Sequence, residues 1–243
     1  MTEQTVGTAD QVRRLFDAKA ATWPMKYAPD GRLRGRMIAL GAAVRYHVAP
    51  GASVLDLGCG TGELARDLAA AGLQATGCDI SGEMLGLAAA VDPGGGVGWV
   101  QLDPGWRQLP FASAIFDAVV AASVLEYVDE PSAILRECAR VLRPGGVVLC
   151  TVPDLTHPIR WLEWLADMAG RLPPVASGRV RWRRLDAYLT YLTISRQRHP
   201  ARWWHAAAAR AGLLAFLGPA SIAQRSPLRL LTFQQPKEMR NGS

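Results

Sequence analysis

The sequence predicts an α/β fold: one doubly wound, mostly parallel, seven-stranded sheet with helices on both faces. Short apolar runs alternate with helical stretches between residues 53 and 152. The runs are continuously apolar, as strands buried on both faces must be. A glycine-rich turn follows the first of them and opens a helix. Strand, helix, strand in short units demands right-handed crossovers and hence a parallel sheet. The 243 residues suit a single domain, and 49% hydrophobic against 20% charged residues supplies a core and excludes wholesale disorder.

Taken in order, residues 10–48 read as helical. Val12, Leu15 and Phe16, then Met37, Ile38, Leu40 and Val44, recur at helical spacing, with a break near Pro29-Asp30-Gly31. Residues 53–57 form a buried strand and 63–71 a helix stopped by Gly72. A second strand covers 74–78 and a second helix 82–91. The turn Gly94-Gly95-Gly96 leads into a third strand at 97–101, and 115–121 is a fourth. A helix at 131–142 and a strand at 146–152 follow. Residues 202–211 are a helix closed by Gly212, and the apolar runs 213–217 and 228–233 make an antiparallel pair at one sheet edge. The stretch 153–201 is too long for a plain crossover and reads as an inserted cap.

Charge and cysteine usage narrow the class. From Leu155 onward there are 13 Arg and 1 Lys against 2 Asp and 2 Glu, while the first 154 residues carry a small acidic excess. Such asymmetry points to an anionic ligand near the C-terminal part, or to a solvated basic face. The longest apolar stretch, 203–220, is interrupted by His205 and Arg210, so no transmembrane segment is expected. The N-terminus has no basic start followed by an apolar block, so a cytoplasmic protein is expected. Cys59, Cys78, Cys138 and Cys150 lack metal or redox spacing and read as reduced core thiols. His47, His157, His199 and His205 show no metal-ligand spacing, and no metal is expected.

The sharpest signal is VLDLGCGTG at 54–62. Gly58, Gly60 and Gly62 let the backbone turn tightly and approach a ligand closely. Asp79 ends the second strand some twenty residues on, where a carboxylate can accept both hydroxyls of a ribose. The third glycine comes one place early for a dinucleotide site. Asp56 just ahead of the loop suits a cationic nucleoside better than a pyrophosphate.

This constellation resembles the class I S-adenosylmethionine-dependent methyltransferases that act on small molecules, a Rossmann-like family. The marks are LFDAKAATW (15–23), VLDLGCGTGELA (54–65), GCDIS with ML (77–85), FDAVVAASVLEYVDEP (116–131) and VLRPGGVVLCTVP (141–153). The resemblance runs from about residue 15 to 152, with weaker agreement at 210–236. It implies S-adenosylmethionine as cofactor, with Asp56 and the backbone of Gly58, Cys59 and Gly60 holding its methionine portion. It further implies that Asp79 takes the ribose hydroxyls, Ile80 and Met84 pack on the adenine, Asp103 receives its amino group, and Ser123 lines the methionine side. Tyr27 and the helix near Leu15 would form an N-terminal lid. The chain then divides into a lid (1–48), a cofactor-binding core (49–152), the cap (153–201) and a C-terminal helix and strand pair (202–236).

Two positions depart from the family pattern. Asp103 lies six residues before Leu109-Pro110-Phe111, farther than usual, and the inserted Pro104-Gly105-Trp106 sets Trp106 near the adenine instead. Tyr127 stands where members commonly carry His; a phenol with an ordinary pKa near ~10 is a poor base at neutral pH. Asp154 and His157 follow the fifth strand, where they either handle a proton or, for Asp154, cap a turn. Tyr127 and His157 are the catalytic candidates.

In the cap, Trp161, Leu162, Leu165, Met168 and Ala169 share one helical face, as expected of a lid helix docked over a cleft. With Trp164, Trp182, Arg179, Arg181, Arg183 and Arg184 they suit an anionic, flat or lipid-like acceptor. The same residues would suit RNA or a membrane surface. No separate nucleic-acid module is present in the sequence, so a small-molecule acceptor methylated on O, N or C is the main expectation. A cofactor-binding protein of this fold that no longer methylates is the reading from another class.

Overall fold

The computed structural model describes residues 8–170, 193–216 and 226–237. Seven strands form one sheet: β1 (Ser53–Leu57), β2 (Gln74–Asp79), β3 (Val97–Gln101), β4 (Phe116–Ala122), β5 (Leu142–Pro153), β6 (Leu214–Ala215) and β7 (Leu228–Gln234). Their order is β3-β2-β1-β4-β5-β7-β6. The first five are parallel, and β7 pairs antiparallel with both β5 and β6. The helices are α1 (Thr8–Asp17), α2 (Arg34–His47), α3 (Glu63–Ala70), α4 (Gly82–Ala90), α5 (Pro131–Val141), α6 (Ile159–Gly170) and α7 (Ala201–Arg210).

Period-two alternation along the strands divides the core into two layers. Leu55, Val119, Ala121 and Cys150 pack with α5 and α7, whose Trp204 is fully buried. Val54, Val120 and Leu149 pack with Leu40 and Val44 of α2 and Leu64 and Leu68 of α3. All four cysteines are buried and free. Burial pushes the Cys138 thiol up to about 12 and raises the other three as well, so these are neutral packing groups.

Four elements differ from the sequence expectation. The break between α1 and α2 is not confined to 29–31 but runs from residue 18 to 33 and contains two 3-10 turns, Ala20–Thr22 and Pro24–Tyr27. Trp23 keeps helical backbone angles (φ −65°, ψ −42°) between the two turns, and Pro24 opens the second one, where its missing amide hydrogen is not needed. β5 begins at Leu142, because a register shift between Phe116 and Ala118 of β4 lets Leu142 pair before the Gly145-Gly146 bend. β6 is two residues long, with Leu214 and Ala215 exposed; Leu217 and the link to β7 lie outside the described residues.

The cap helix α6 is turned from the expected orientation. Trp161, Leu162, Leu165 and Met168 are 72%, 64%, 52% and 48% exposed. Its inner face is polar instead: Glu163 is buried and accepts hydrogen bonds from Arg160 and from Arg198 (2.9 Å). A buried carboxylate held by two guanidiniums fixes that face inward, since exposing either partner would strand the other. Trp182 and Arg179, Arg181, Arg183 and Arg184 lie outside the described residues.

Candidate functional site

At the carboxyl ends of β1, β2 and β4 the sheet opens onto a cavity of about 860 Å³. This is where open α/β sheets receive ligands, at the point where strand order reverses. Leu57, Gly58, Cys59 and Gly60 form one edge, Asp79, Ile80 and Met84 a second, and Ser123 and Tyr127 a third. Tyr27 and Trp106 close it from the N-terminal turn and the β3–β4 loop. Ten of the thirteen residues singled out by sequence thus meet around one space.

The β1–α3 loop owes its shape to two glycines. At Gly58 (φ +71) a Cβ would be driven into the Val124 side chain, and at Gly62 (φ +78) into the Trp99 ring. Freed of side chains, the backbone folds back on β2: the amides of Gly58 and Cys59 both donate to the Cys78 carbonyl, at 2.7 and 3.1 Å. Asp79 is fixed from two sides, its carboxylate accepting from the Gly60 amide (2.9 Å) and the Ser81 amide (2.9 Å). Burial raises its pKa, while these amide bonds pull the other way. Ser81 in turn accepts from the Met84 amide at the start of α4 and donates to Asp17 of α1 (2.6 Å), tying the N-terminal helix to the site.

Asp56, Asp103 and His157 lie outside the cavity lining. Asp56 shares the parity of Val54, so its side chain turns beneath α3, where the Ala65 amide donates to it. Its Oδ2 is buried with no partner, and burial, then the nearby Asp79 and Glu63 charges, push its pKa up to about 7. Asp103 is exposed on the loop after β3, its carbonyl accepting from the Trp106 amide (3.1 Å). His157 accepts the Ile159 amide on Nδ1 (3.2 Å), a cap for α6. Asp154 binds the Thr156 amide and hydroxyl, so it shapes the same turn.

The structure adds residues the sequence reading passed over. Arg36 of α2 reaches into the cavity and donates to Ser123 Oγ at 2.8 Å and to the Tyr27 hydroxyl. Ser123 sits in the left-handed region (φ +58), its amide donating to buried Thr151 Oγ1 (2.8 Å); strain of this kind persists where surrounding bonds over-determine it. Beside it Tyr127 packs edge-on against Phe16 at 5.4 Å and is hydrogen-bonded to buried Glu126, which also accepts from Ser195 (3.2 Å). Lys19, Lys26 and Arg32 complete the N-terminal wall. The available signal was the density of basic residues at 19–36, which the acidic excess of the surrounding 154 residues conceals.

This geometry can hold a polar, elongated ligand with a hydroxylated portion at Asp79, an apolar portion at Ile80 and Met84, and an anionic end at Arg36. In comparison with known proteins, residues 55–150 match the family model described as a methyltransferase domain. Over that stretch the chain is similar to methyltransferases. It is 36% identical over 159 residues to the ubiquinone/menaquinone biosynthesis C-methyltransferase of Desulfotalea psychrophila, covering 61% of this chain and 60% of that protein. It is 40% identical over 110 residues to a ubiquinone biosynthesis O-methyltransferase of Xanthomonas oryzae pv. oryzae, covering 44% of this chain and 45% of that one. The matches therefore span less than two thirds of either relative. Among solved structures, magnesium protoporphyrin IX methyltransferase from Synechocystis PCC 6803, determined with bound SAM, superposes with a TM-score of 0.65 at 18% identity over 96% of this chain and all of that one. The cyclase SpnF gives 0.65 at 20% identity over 96% of this chain and 98% of that one. Likeness at that identity establishes the doubly wound fold.

Proposed function

We propose that this chain transfers a methyl group from S-adenosylmethionine to an O, N or C nucleophile of a small, anionic molecule. The single observation that carries the reading is the convergence of the glycine loop, Asp79 and the Ile80–Met84 edge on one cavity within the stretch similar to methyltransferases. The residues fit the cofactor. Gly58 and Gly60 bring backbone without side chains to the cavity lining, and Asp79 beside them is anchored by two amides. The two relatives compared above are named as methyltransferases of quinone biosynthesis, which supports a small-molecule acceptor.

Asp79 would accept the ribose hydroxyls and Ile80 and Met84 would bracket the adenine, with Trp106 closing that end. Arg36, set by Ser123 and Tyr27, would hold the carboxylate of the methionine portion as a charge-assisted pair. Asp56 lies beneath the loop with its carboxyl pushed up to about 7, and a cationic ligand above it would favour the ionised form. When bound, S-adenosylmethionine supplies an electrophilic methyl carbon on a sulfonium centre. The chain's task is then to align the acceptor and exclude water, for which the 18–33 segment and α1 act as a lid. Tyr127, held by Glu126, would orient the acceptor through its hydroxyl.

The test uses methyl-labelled S-adenosylmethionine with the small-metabolite fraction of a cell extract and, separately, with total RNA. Label is expected in small organic products and absent with Asp79→Ala. Label recovered in RNA alone would overturn the small-molecule reading.

A further inference from the structure

The wall facing the glycine loop is built by residues 16–36, and it is cationic. Lys19, Lys26, Arg32 and Arg36 all line the cavity. Arg36 has polar partners in Ser123 and Tyr27. Among the described residues the other three have no carboxylate partner. The charges felt by Lys26 are those of Arg32, Lys19 and Arg36, all of its own sign, and Lys19 feels Arg32. On the opposite wall Arg160 is matched by Glu163. Gathering like charges in a half-buried space costs free energy that nothing in the folded chain offsets fully. The Lys26 ammonium stands 3.1 Å from the centroid of the Trp23 ring, which recovers part of that cost.

The same segment lays an aromatic surface beside the cations. Phe16 meets Trp23 edge-on at 5.4 Å and Tyr127 edge-on at 5.4 Å. Trp23 in turn packs on the glycine loop, its Nε1 lying 3.3 Å from where a Cβ of Gly60 would stand. A flat molecule lying along Phe16, Trp23 and Tyr127 would have the uncompensated cations to one side and the loop to the other.

We propose that Lys19, Lys26 and Arg32 form an anion subsite for the acceptor, binding the carboxylate or phosphate of a small aromatic molecule whose ring lies against Phe16, Trp23 and Tyr127. The inference rests on the reading of this cavity as the methyl-transfer site and names its acceptor class. Arg36 is not part of the subsite, because Ser123 and Tyr27 hold it toward the sheet. A carboxylate and a phosphate monoester satisfy the same cations, and the test separates them.

The experiment is calorimetric titration of the full chain, with and without S-adenosylhomocysteine, using naphthalene-2-carboxylate, 2-naphthyl phosphate and the neutral naphthalene-2-carboxamide. The charged probes are expected to bind about tenfold or more tightly than the amide, and more weakly as salt is raised. Whichever of the two is tighter identifies the anion. Lys26→Met and Lys19→Met should each cut the affinity of the charged probes about three- to tenfold and leave the amide and S-adenosylhomocysteine unchanged, with Lys26→Arg restoring it. Equal binding of charged and neutral probes, or no binding of any, overturns the subsite, as does full retention in the Lys19→Met, Lys26→Met double variant. If the wild type binds S-adenosylhomocysteine but fails to discriminate the probes, the subsite is wrong and the cofactor reading stands. If it discriminates the probes but binds no S-adenosylhomocysteine, the cofactor reading fails and the subsite survives.

Discussion

Asp56 and Lys26 carry opposite charges and respond oppositely to pH. The Asp56 carboxyl is pushed up to about 7 in the folded chain, against about 4 when unfolded. Between these values the folded state holds a proton that the unfolded state has released, so stability falls as pH rises toward 7. Asp56→Asn should therefore raise the melting temperature, with a larger gain at pH 8 than at pH 5; an equal gain at both would contradict the assigned ionisation. Lys26 is lowered to about 7 by burial and its basic neighbours, so stability is lost as pH falls from about 10 through 7. Lys26→Met should stabilise the free protein more at pH 6 than at pH 9.5, measured by the same melts. Gly58→Ala is predicted to cost roughly 2 kcal/mol or more, since it combines left-handed backbone strain with an overlap on Val124. The glycines and Asp79 were legible in the sequence because a strand end fixes where they point. Arg36, Lys19 and Lys26 were not, because they act across the fold from a segment whose path depends on packing.

At the scale of elements, the strands buried on both faces were the most legible, since continuous apolar runs bounded by glycine have few other uses. The short edge strand β6 and the 18–33 wrap had no such pattern. The face of α6 was misjudged for a physical reason: its apolar stripe is wider than its polar one, yet the buried Arg160–Glu163–Arg198 network settles which side turns inward. The loop from β3 to β4 shows how an irregular element is held. Arg140 of α5 donates to the carbonyls of Leu109 (3.0 Å) and Phe111 (2.9 Å), while Glu137 accepts the Leu109 amide (2.8 Å). Arg140→Ala should destabilise the protein by about 1–3 kcal/mol. It should also speed amide hydrogen exchange across 105–113 and weaken cofactor binding through Trp106. Unchanged exchange in that loop would show that Arg140 does not hold it.

For the whole molecule, charge asymmetry pointed to an anionic ligand near the C-terminal part, where basic residues are most numerous. Much of that part lies outside the described residues, and among the described ones the cavity lining gathers Lys19, Lys26, Arg32 and Arg36 from the first 36 residues together with Arg107, Arg136 and Arg160. Net charge summed over half a chain averages away a local cluster that the fold concentrates at one wall. No helix among the described residues is long and apolar enough to cross a membrane. The central claim is that the β1–α3 loop and Asp79 form a cofactor site for S-adenosylmethionine. Calorimetric titration of S-adenosylhomocysteine into the wild-type chain and into Asp79→Ala tests it most directly. The account predicts micromolar binding by the wild type and its loss in a variant that still melts cooperatively. Absence of binding by the folded wild type, or equal affinity in Asp79→Ala, would contradict it.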